Sequence, residues 1–186
     1  MKQSEVNQLC LDAAECFKRQ HWALPPKAEW WASDFGLGDY RKAGLVEVLL
    51  ANEPEYCEKI MYARAGMVTP THTHNEKKED IICRHGTLRI TLWSGNPQKD
   101  TPDGPIEIKI NRQTETRQSG VPFDLSAGSR ITITPGIWHK FEPVSEECLI
   151  GEVSTFCDEE TDNIFADSKV DIFQEPEADE KPAYPG

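Results

Sequence analysis

The sequence predicts an all-β domain, a β-sandwich or barrel, preceded by one N-terminal helix. Three observations support this prediction. Apolar side chains recur at helical spacing over residues 5–20, whereas from residue 45 to 154 they alternate with polar ones in short segments separated by turn residues. No helical stripe lies between these segments, which excludes a parallel α/β fold because its strands need connecting helices.

The N-terminal helix is predicted from a single apolar stripe. We expect Ser4 to be its N-cap, and Pro25-Pro26 blocks any continuation. The apolar positions are Val6, Leu9, Cys10, Ala13, Ala14 and Phe17. Residues 21–44 are predicted to be irregular, with tryptophans that cover the edge of the core rather than bind a ligand.

The strands are predicted from period-two alternation. The segments are 44–50, 56–64, 88–93, 106–111 and 130–134, with turns at Asn96-Pro97, Pro102-Asp103-Gly104 and Ala127-Gly128. Such spacing is typical of antiparallel sandwiches and barrels.

The C-terminal segment is strongly acidic and rich in proline. From residue 158 to 186 there are ten acidic residues and two lysines, and residues 174–186 contain few apolar side chains. We expect a loosely held tail there. The predicted organisation is a helix and aromatic-rich segment at 1–44, a β domain at 45–173 and an acidic tail at 174–186.

The composition excludes several kinds of partner. A formal net charge of −12 argues against nucleic acid and anionic membranes, and no apolar run is long enough to span a bilayer. The first residues lack the pattern of a signal peptide. Six cysteines without a C-x-x-C pair are expected to be free thiols, which favours a cytoplasmic protein.

A candidate metal site is carried by four residues. His72 and His74 are separated by one residue, so both point to one face of an extended segment. They lie in the string Gly66-x5-His72-x-His74-x4-Glu79-x6-Gly86, and the string Gly128-x7-Gly136-x2-His139 adds a third imidazole. Three neutral imidazoles and one carboxylate suit Mn, Fe, Co, Ni or Zn, and an octahedral ion would retain two open positions.

These two strings resemble the two motifs of the cupin superfamily, which are small jelly-roll β-barrels. The first string matches at every fixed position; the second departs in the place of its proline, Pro135, and in having Pro143 at its end. The context Thr71–Ile82, Thr134–Phe141 and Gly151–Ser154 resembles the D-lyxose isomerase family of cupin sugar isomerases over nearly the whole chain.

The resemblance implies a manganese-dependent enzyme that interconverts D-lyxose with D-xylulose, and often D-mannose with D-fructose, through a cis-enediol. Such chemistry needs a cation near the developing enediolate and a carboxylate that moves a proton between C2 and C1. Glu152 is our candidate base, because it resembles the proton-transfer glutamate of the family and lies within an apolar segment. The resemblance also implies a homodimer that acts on a small-molecule sugar.

Two further residues are assigned to the catalytic site. Lys77 resembles a lysine that the family places near the metal, although Lys78 could equally be the inward-facing one. Asp162 is expected either to orient Glu152 or to bind a sugar hydroxyl, with an ordinary solvated carboxylate as the alternative.

Two other functions remain open from the sequence. A cupin dioxygenase would use the same metal ligands, since fold and ligand set do not fix the reaction. A non-catalytic sugar-binding cupin would not require Glu152 as a base. The preferred aldose and the physiological metal are likewise open, with Co²⁺, Fe²⁺, Ni²⁺ and Zn²⁺ as alternatives to Mn²⁺.

Overall fold

Two antiparallel sheets enclose the core in the computed structural model, which describes residues 1–185. The elements are α1 (Gln3–Arg19), β1 (Glu29–Ser33), β2 (Leu45–Asn52), β3 (Cys57–Arg64), β4 (His72–His74), β5 (Glu79–His85), β6 (Thr87–Trp93), β7 (Pro105–Ile110), β8 (Gln113–Gln118), β9 (Phe123–Ser126), β10 (Arg130–Ile133), β11 (Trp138–Pro143), β12 (Glu147–Ser154) and β13 (Asn163–Phe165). One sheet has the order β1-β2-β3-β12-β5-β10-β7-β8, and the other has the order β13-β4-β11-β6-β9. The predicted all-β class with one N-terminal helix is confirmed.

The core lies between the facing surfaces of the two sheets. Met61 and Ile150 project from the larger sheet and Leu88 and Ile90 from the smaller one, all at most 1% exposed. Alternation of buried and exposed residues along β7 follows the predicted period of two. Each strand therefore turns one row of side chains inward and the other outward, and this decides which polar residues reach the interior.

Helix α1 packs its apolar stripe on the protein as predicted, but the predicted N-cap is wrong. The helix begins at Gln3, with Lys2 in the capping position. Ser4 instead donates from its backbone N–H and its hydroxyl to the Asp179 carboxylate, at 2.8 and 2.6 Å. A carboxylate from the far end of the chain thus neutralises the positive end of the helix. No helix among residues 1–185 combines the length and apolar character needed to cross a membrane.

The acidic tail is held in place, contrary to the expectation of a loose segment. The Glu177 carbonyl accepts from Gln3 N–H at 2.8 Å, and the Asn7 side chain donates to the Lys181 carbonyl at 2.9 Å. Trp30 Nε1 donates to the Pro185 carbonyl at 3.0 Å. Main-chain carbonyl groups of the tail supply most of these bonds. Every residue has such a group, so the side-chain composition of the tail did not predict the contacts.

Residues 29–33 form a strand rather than the predicted irregular segment. Strand β1 pairs antiparallel with β2, from Glu29 opposite Leu49 to Ser33 opposite Leu45. It forms one edge of the larger sheet, which has its second edge at β8. The first 44 residues therefore contribute a strand to the sandwich in addition to the helix.

Candidate metal centre and active site

The two histidines of the first motif lie on a strand of only three residues. β4 is paired with β11 on one side and with β13 on the other, and His139 of β11 lies directly opposite His72. Glu79 is the first residue of β5 in the facing sheet. The ligand atoms of His72, His74, Glu79 and His139 all lie within 4.8 Å of one another, so the structure brings the four predicted residues together.

Two glycines of the motifs fix the turns that produce this convergence. Gly136 has a φ of +83°, which favours glycine, and its N–H donates to the His74 carbonyl at 2.9 Å. This bond ties the loop before His139 to the strand that carries His74. Gly86 has a φ of +84°, and a Cβ there would lie 2.5 Å from the Glu147 carbonyl oxygen. These two turns therefore set the path of the chain into β6 and β11.

The imidazoles are oriented by oxygen atoms behind them. Nδ1 of His72 lies 2.8 Å from the Pro70 carbonyl, and Nδ1 of His139 lies 3.1 Å from the Ile137 carbonyl. A carbonyl only accepts, so Nδ1 carries the proton and Nε2 presents its lone pair to the cluster. Burial, followed by the neighbouring imidazoles, lowers the pKa of His72 well below its usual range and keeps the ring neutral.

The cluster fits a divalent cation. His139 Nε2 lies 2.9 Å from Glu79 Oε1, and His74 Nε2 lies 3.5 Å from the same oxygen. All three atoms are buried without a hydrogen-bond partner among residues 1–185. Burial alone would raise the pKa of Glu79, but Lys77 and His139 outweigh it and hold the pKa well below the usual range. An ionised carboxylate and lone pairs that face each other at this distance can hold a shared cation, and the N₃O donor set suits a transition metal.

Glu152 lies beside this cluster and is joined to it by Lys77. Lys77 Nζ is 3.2 Å from Glu152 Oε1 and 3.5 Å from Glu79 Oε2. Glu152 and Lys77 are each 5% exposed. Burial would lower the pKa of Lys77, but Glu152 and Glu79 raise it above the usual value, so the ammonium stays charged. Lys78 is exposed, so of the two lysines left open by the sequence Lys77 is the one that faces inward.

Asp162 lies behind the cluster rather than beside Glu152. Its carboxylate accepts from the backbone N–H groups of Glu76 and Lys77 at 2.8 and 3.1 Å. Its Oδ2 also lies 3.5 Å from Nδ1 of His74. None of its hydrogen bonds among the described residues reaches Glu152. Asp162 therefore fixes the loop that carries Lys77 and faces the back of His74. Its predicted action on Glu152 or on a sugar hydroxyl stays a prediction.

A cavity of about 420 Å³ opens onto these residues. Its walls include the aromatic side chains of Trp30, Trp31, Phe35, Phe141, Phe165 and Phe173. Trp30 and Trp31 thus line the cavity as well as the core edge, which sequence reasoning did not foresee.

Sequence reasoning also missed a second group of charged residues in the cavity wall. Lys59 Nζ contacts Glu159 at 2.5 Å and Glu47 at 3.1 Å, and all three side chains line the cavity. A signal was present, because Glu47 interrupts the apolar run 45–50 just as Glu152 interrupts its own. A charged residue within an apolar run usually has a partner or a function, and this reasoning applies to Glu47 as it does to Glu152.

A two-sheet β-barrel that gathers three imidazoles and a carboxylate between its sheets is a cupin. The structure of L-ribose isomerase from Cellulomonas parahominis has this fold as well, with a TM-score of 0.73 at 16% sequence identity, covering 96% of this chain and 98% of that one.

Sequence comparison places the chain more narrowly. The family described as D-lyxose isomerase matches residues 30–185. Proteins named D-lyxose/D-mannose isomerase from Escherichia coli O157:H7 and Serratia proteamaculans are each 30% identical, over 89% and 99% of this chain and 88% and 95% of their own lengths. The chain belongs to the D-lyxose isomerase family. It is a sugar isomerase that interconverts an aldose and a ketose. This activity rules out the two alternatives that the sequence left open, a cupin dioxygenase and a non-catalytic sugar-binding cupin.

Proposed function

We propose that the protein interconverts D-lyxose with D-xylulose, and D-mannose with D-fructose, by proton transfer through a cis-enediol. The names of the relatives support these substrates. The mechanism rests on the contact between Lys77 and Glu152. This contact holds a carboxylate that is not a candidate metal ligand beside the four-residue cluster, within the same cavity.

The metal ligands in this proposal are His72, His74, Glu79 and His139, and Mn²⁺ is the expected ion, with Co²⁺, Fe²⁺, Ni²⁺ or Zn²⁺ as alternatives. When bound, the ion supplies Lewis-acid stabilisation for negative charge that develops on the sugar oxygens. Glu79 serves only as a ligand, since its Oε1 faces His74 and His139.

Glu152 is the proposed base that takes the proton from C2 and returns it to C1. Its position on β12 points it into the cavity, where it is 5% exposed and shielded from bulk water. A single carboxylate that serves both carbons must act on one face of the sugar, and this requires a planar cis-enediol between the two transfers. Glu152 is not one of the four residues whose ligand atoms form the metal cluster.

Lys77 holds Glu152 in place before the reaction. Its ammonium has three N–H groups, of which two face Glu152 and Glu79. The third can donate to a sugar oxygen that gains negative charge. Asp162 supports Lys77 by accepting from its backbone N–H, and it acts in this way as a positioning residue rather than a catalytic one.

The proposal is tested with the manganese-loaded protein under anaerobic conditions. D-Lyxose should be converted to D-xylulose up to the equilibrium mixture, without consumption of oxygen. In D₂O, any exchange of the transferred proton with solvent places deuterium at C1 of the ketose, and mass spectrometry measures its extent. Absence of any ketose from a panel of pentoses and hexoses would reject the proposal.

We propose a homodimer located in the cytoplasm. Strand β8 leaves an unpaired edge on the larger sheet, and such edges are commonly covered by another chain. All six cysteines are free thiols, which suits a reducing compartment. Light scattering after gel filtration tests the dimer, and a mass near 21.0 kDa would contradict it.

A further inference from the structure

Two cysteines meet at one end of the cavity, where β3 begins and β12 ends. Cys57 is the first residue of β3 and lies on the same face of that strand as Lys59, which lines the cavity. Its cross-strand partner on β12 is Ser154, whose hydroxyl donates to the Phe156 carbonyl at 3.2 Å. The chain turns there, and Cys157 follows in the cavity wall.

The two thiols contact each other and differ in their exposure. Cys57 is fully buried, and its sulfur accepts a hydrogen bond from the thiol of Cys157. Cys157 is half-buried, and its Sγ lies 3.0 Å from Glu159 Oε1, to which it can also donate. Glu159 in turn contacts Lys59 Nζ at 2.5 Å. A small molecule in the cavity therefore meets Cys157 first and Cys57 next to it.

The acidity of Cys57 differs from that of the thiols in the core. The hydrogen bond from Cys157 outweighs the effect of burial, and with the charge of Lys59 it lowers the pKa of Cys57. Burial instead raises the pKa of Cys10 and Cys148 to about 12. The thiolate is the form that oxidants attack, and a second thiol in contact with it converts the first oxidation product to a disulfide.

We propose that Cys57 and Cys157 form a redox-active dithiol site, which hydroperoxides convert to a disulfide that slows the isomerase. The Cys57 thiolate attacks one oxygen of hydrogen peroxide, the O–O bond breaks, and the second oxygen takes up a proton and leaves as water. The Cys157 sulfur then attacks the sulfenic acid on Cys57, the S–O bond breaks, and a second water leaves. Two thiols and one peroxide thus give one disulfide and two waters, with sulfur oxidised and the peroxide reduced.

The disulfide changes the cavity wall in two ways. It removes the proton that Cys157 can donate to Glu159. It also brings the two sulfur atoms to about 2 Å, closer than any hydrogen-bonded pair, and so shifts the segment that leads to Asp162. Asp162 accepts from the backbone of Lys77, which contacts the proposed base Glu152. The effect on turnover rests on the proposed function, whereas formation of the disulfide does not.

The test treats the fully reduced protein with a small excess of hydrogen peroxide. The number of free thiols, counted in denaturant, should fall from six by two, and peptide mapping without reductant should find Cys57 joined to Cys157. The rate with D-lyxose and manganese should fall about tenfold, the usual effect of losing a hydrogen bond to a charged group, and dithiothreitol should restore it. An unchanged number of thiols, or a disulfide between other cysteines, would overturn the proposal.

Variants separate the dithiol from oxidation at other places. The rate after peroxide is divided by the rate before it for each protein, so a change in the basal rate does not enter. Cys57→Ser should keep this ratio near one, whereas Cys10→Ala removes a core thiol outside the pair and should respond as the wild type does. An equal loss in Cys57→Ser and the wild type would contradict the proposal, since peroxide would then act elsewhere.

A second variant covers the case that Cys57→Ser does not fold. Cys157→Ser changes a half-buried position and cannot form the disulfide. After peroxide it should carry a sulfenic acid on Cys57, which dimedone labels and mass spectrometry detects. Absence of the label would count against Cys57 as the attacking thiol.

Failure of the proposed function gives a different result from failure of the redox site. A wild type that isomerises no sugar but forms the disulfide between Cys57 and Cys157 would reject the proposed function and retain the dithiol site. Normal isomerisation that the disulfide does not slow would reject the redox control alone.

Discussion

Replacement of Glu152 by glutamine tests the proposed base directly. Glutamine has nearly the same shape and keeps an oxygen that can accept from Lys77 Nζ, now 3.2 Å from Glu152 Oε1. It cannot take a proton from C2. Loss of a general base costs about 10²- to 10⁴-fold in rate, so kcat should fall by that factor, equivalent to about 3 to 5 kcal/mol of activation free energy.

The fold should tolerate this change. Lys77 retains Glu79 at 3.5 Å as a carboxylate partner, so its ammonium is not left alone in the interior. The free energy of unfolding should fall by only about 1 to 2 kcal/mol, the range for one buried hydrogen-bond partner. Metal content should stay at the wild-type level, because Glu152 is not a member of the ligand cluster.

The assay is the initial rate of ketose formation, with metal per subunit and deuterium incorporation in D₂O measured on the same preparation. Glu107→Gln, on the exposed face of β7, is the matched control and should behave as the wild type. A Glu152→Gln rate within threefold of the wild type, at normal metal content, would refute the assignment of the base.

Three further predictions concern the metal and the fold. His139→Ala should lose most of its bound metal, and a chelator should lower the melting temperature of the wild type but not of this variant; metal at a hundred times its Kd contributes about 2.7 kcal/mol. An equal chelator effect on both proteins would contradict the ligand assignment. Gly86→Ala should cost more than about 2 kcal/mol in denaturant unfolding, because the φ of +84° adds to a 2.5 Å clash. Gly104→Ala, with a φ of +89° but open space, should cost clearly less, and equal costs would remove the clash from the explanation. Asn7→Ala should lose the hydrogen bonds to Lys181 and Ala183, lower stability by about 1 to 3 kcal/mol and expose the tail to limited proteolysis. A tail that resists cleavage equally in both proteins would count against this role.

The four residues of the metal cluster could be predicted because their spacing carries their geometry. His72 and His74 share a face on any extended strand, whatever the rest of the fold. Gly86 and Gly136 mark turns that only a residue without a Cβ can make cheaply. A local rule therefore sufficed for the two histidines of β4, whereas Glu79 and His139 were selected from the motif strings, and neither source gave the distances between the four side chains.

The cavity wall could not be predicted by the same rules. Both faces of β3 carry a charged residue, Glu58 on one and Lys59 on the other, so alternation does not decide whether the face of Lys59 points to solvent. Here the larger sheet turns that face toward the cavity, and the outcome depends on β12 lying between β3 and β5. The order of strands is set by pairing between distant segments, which alternation alone does not specify.

The errors at the two ends of the chain share this origin. Ser4 has the chemistry of an N-cap, but its partner Asp179 lies 175 residues away. Strand β1 has no alternating pattern of burial, because Trp30 and Trp31 are both half-buried at the edge of the sheet. In both places a long-range contact outweighed the local preference.

Strand β4 is too short to be stable by itself, and this affects when the protein can acquire its ion. Its three residues gain their order from β11 and β13, and β13 ends at Phe165. During synthesis the two imidazoles of β4 cannot be fixed until residues 163–165 have left the ribosome and paired with this strand. The proposed metal site is therefore completed late, and a nascent chain stalled before residue 163 would lack the strand that completes it.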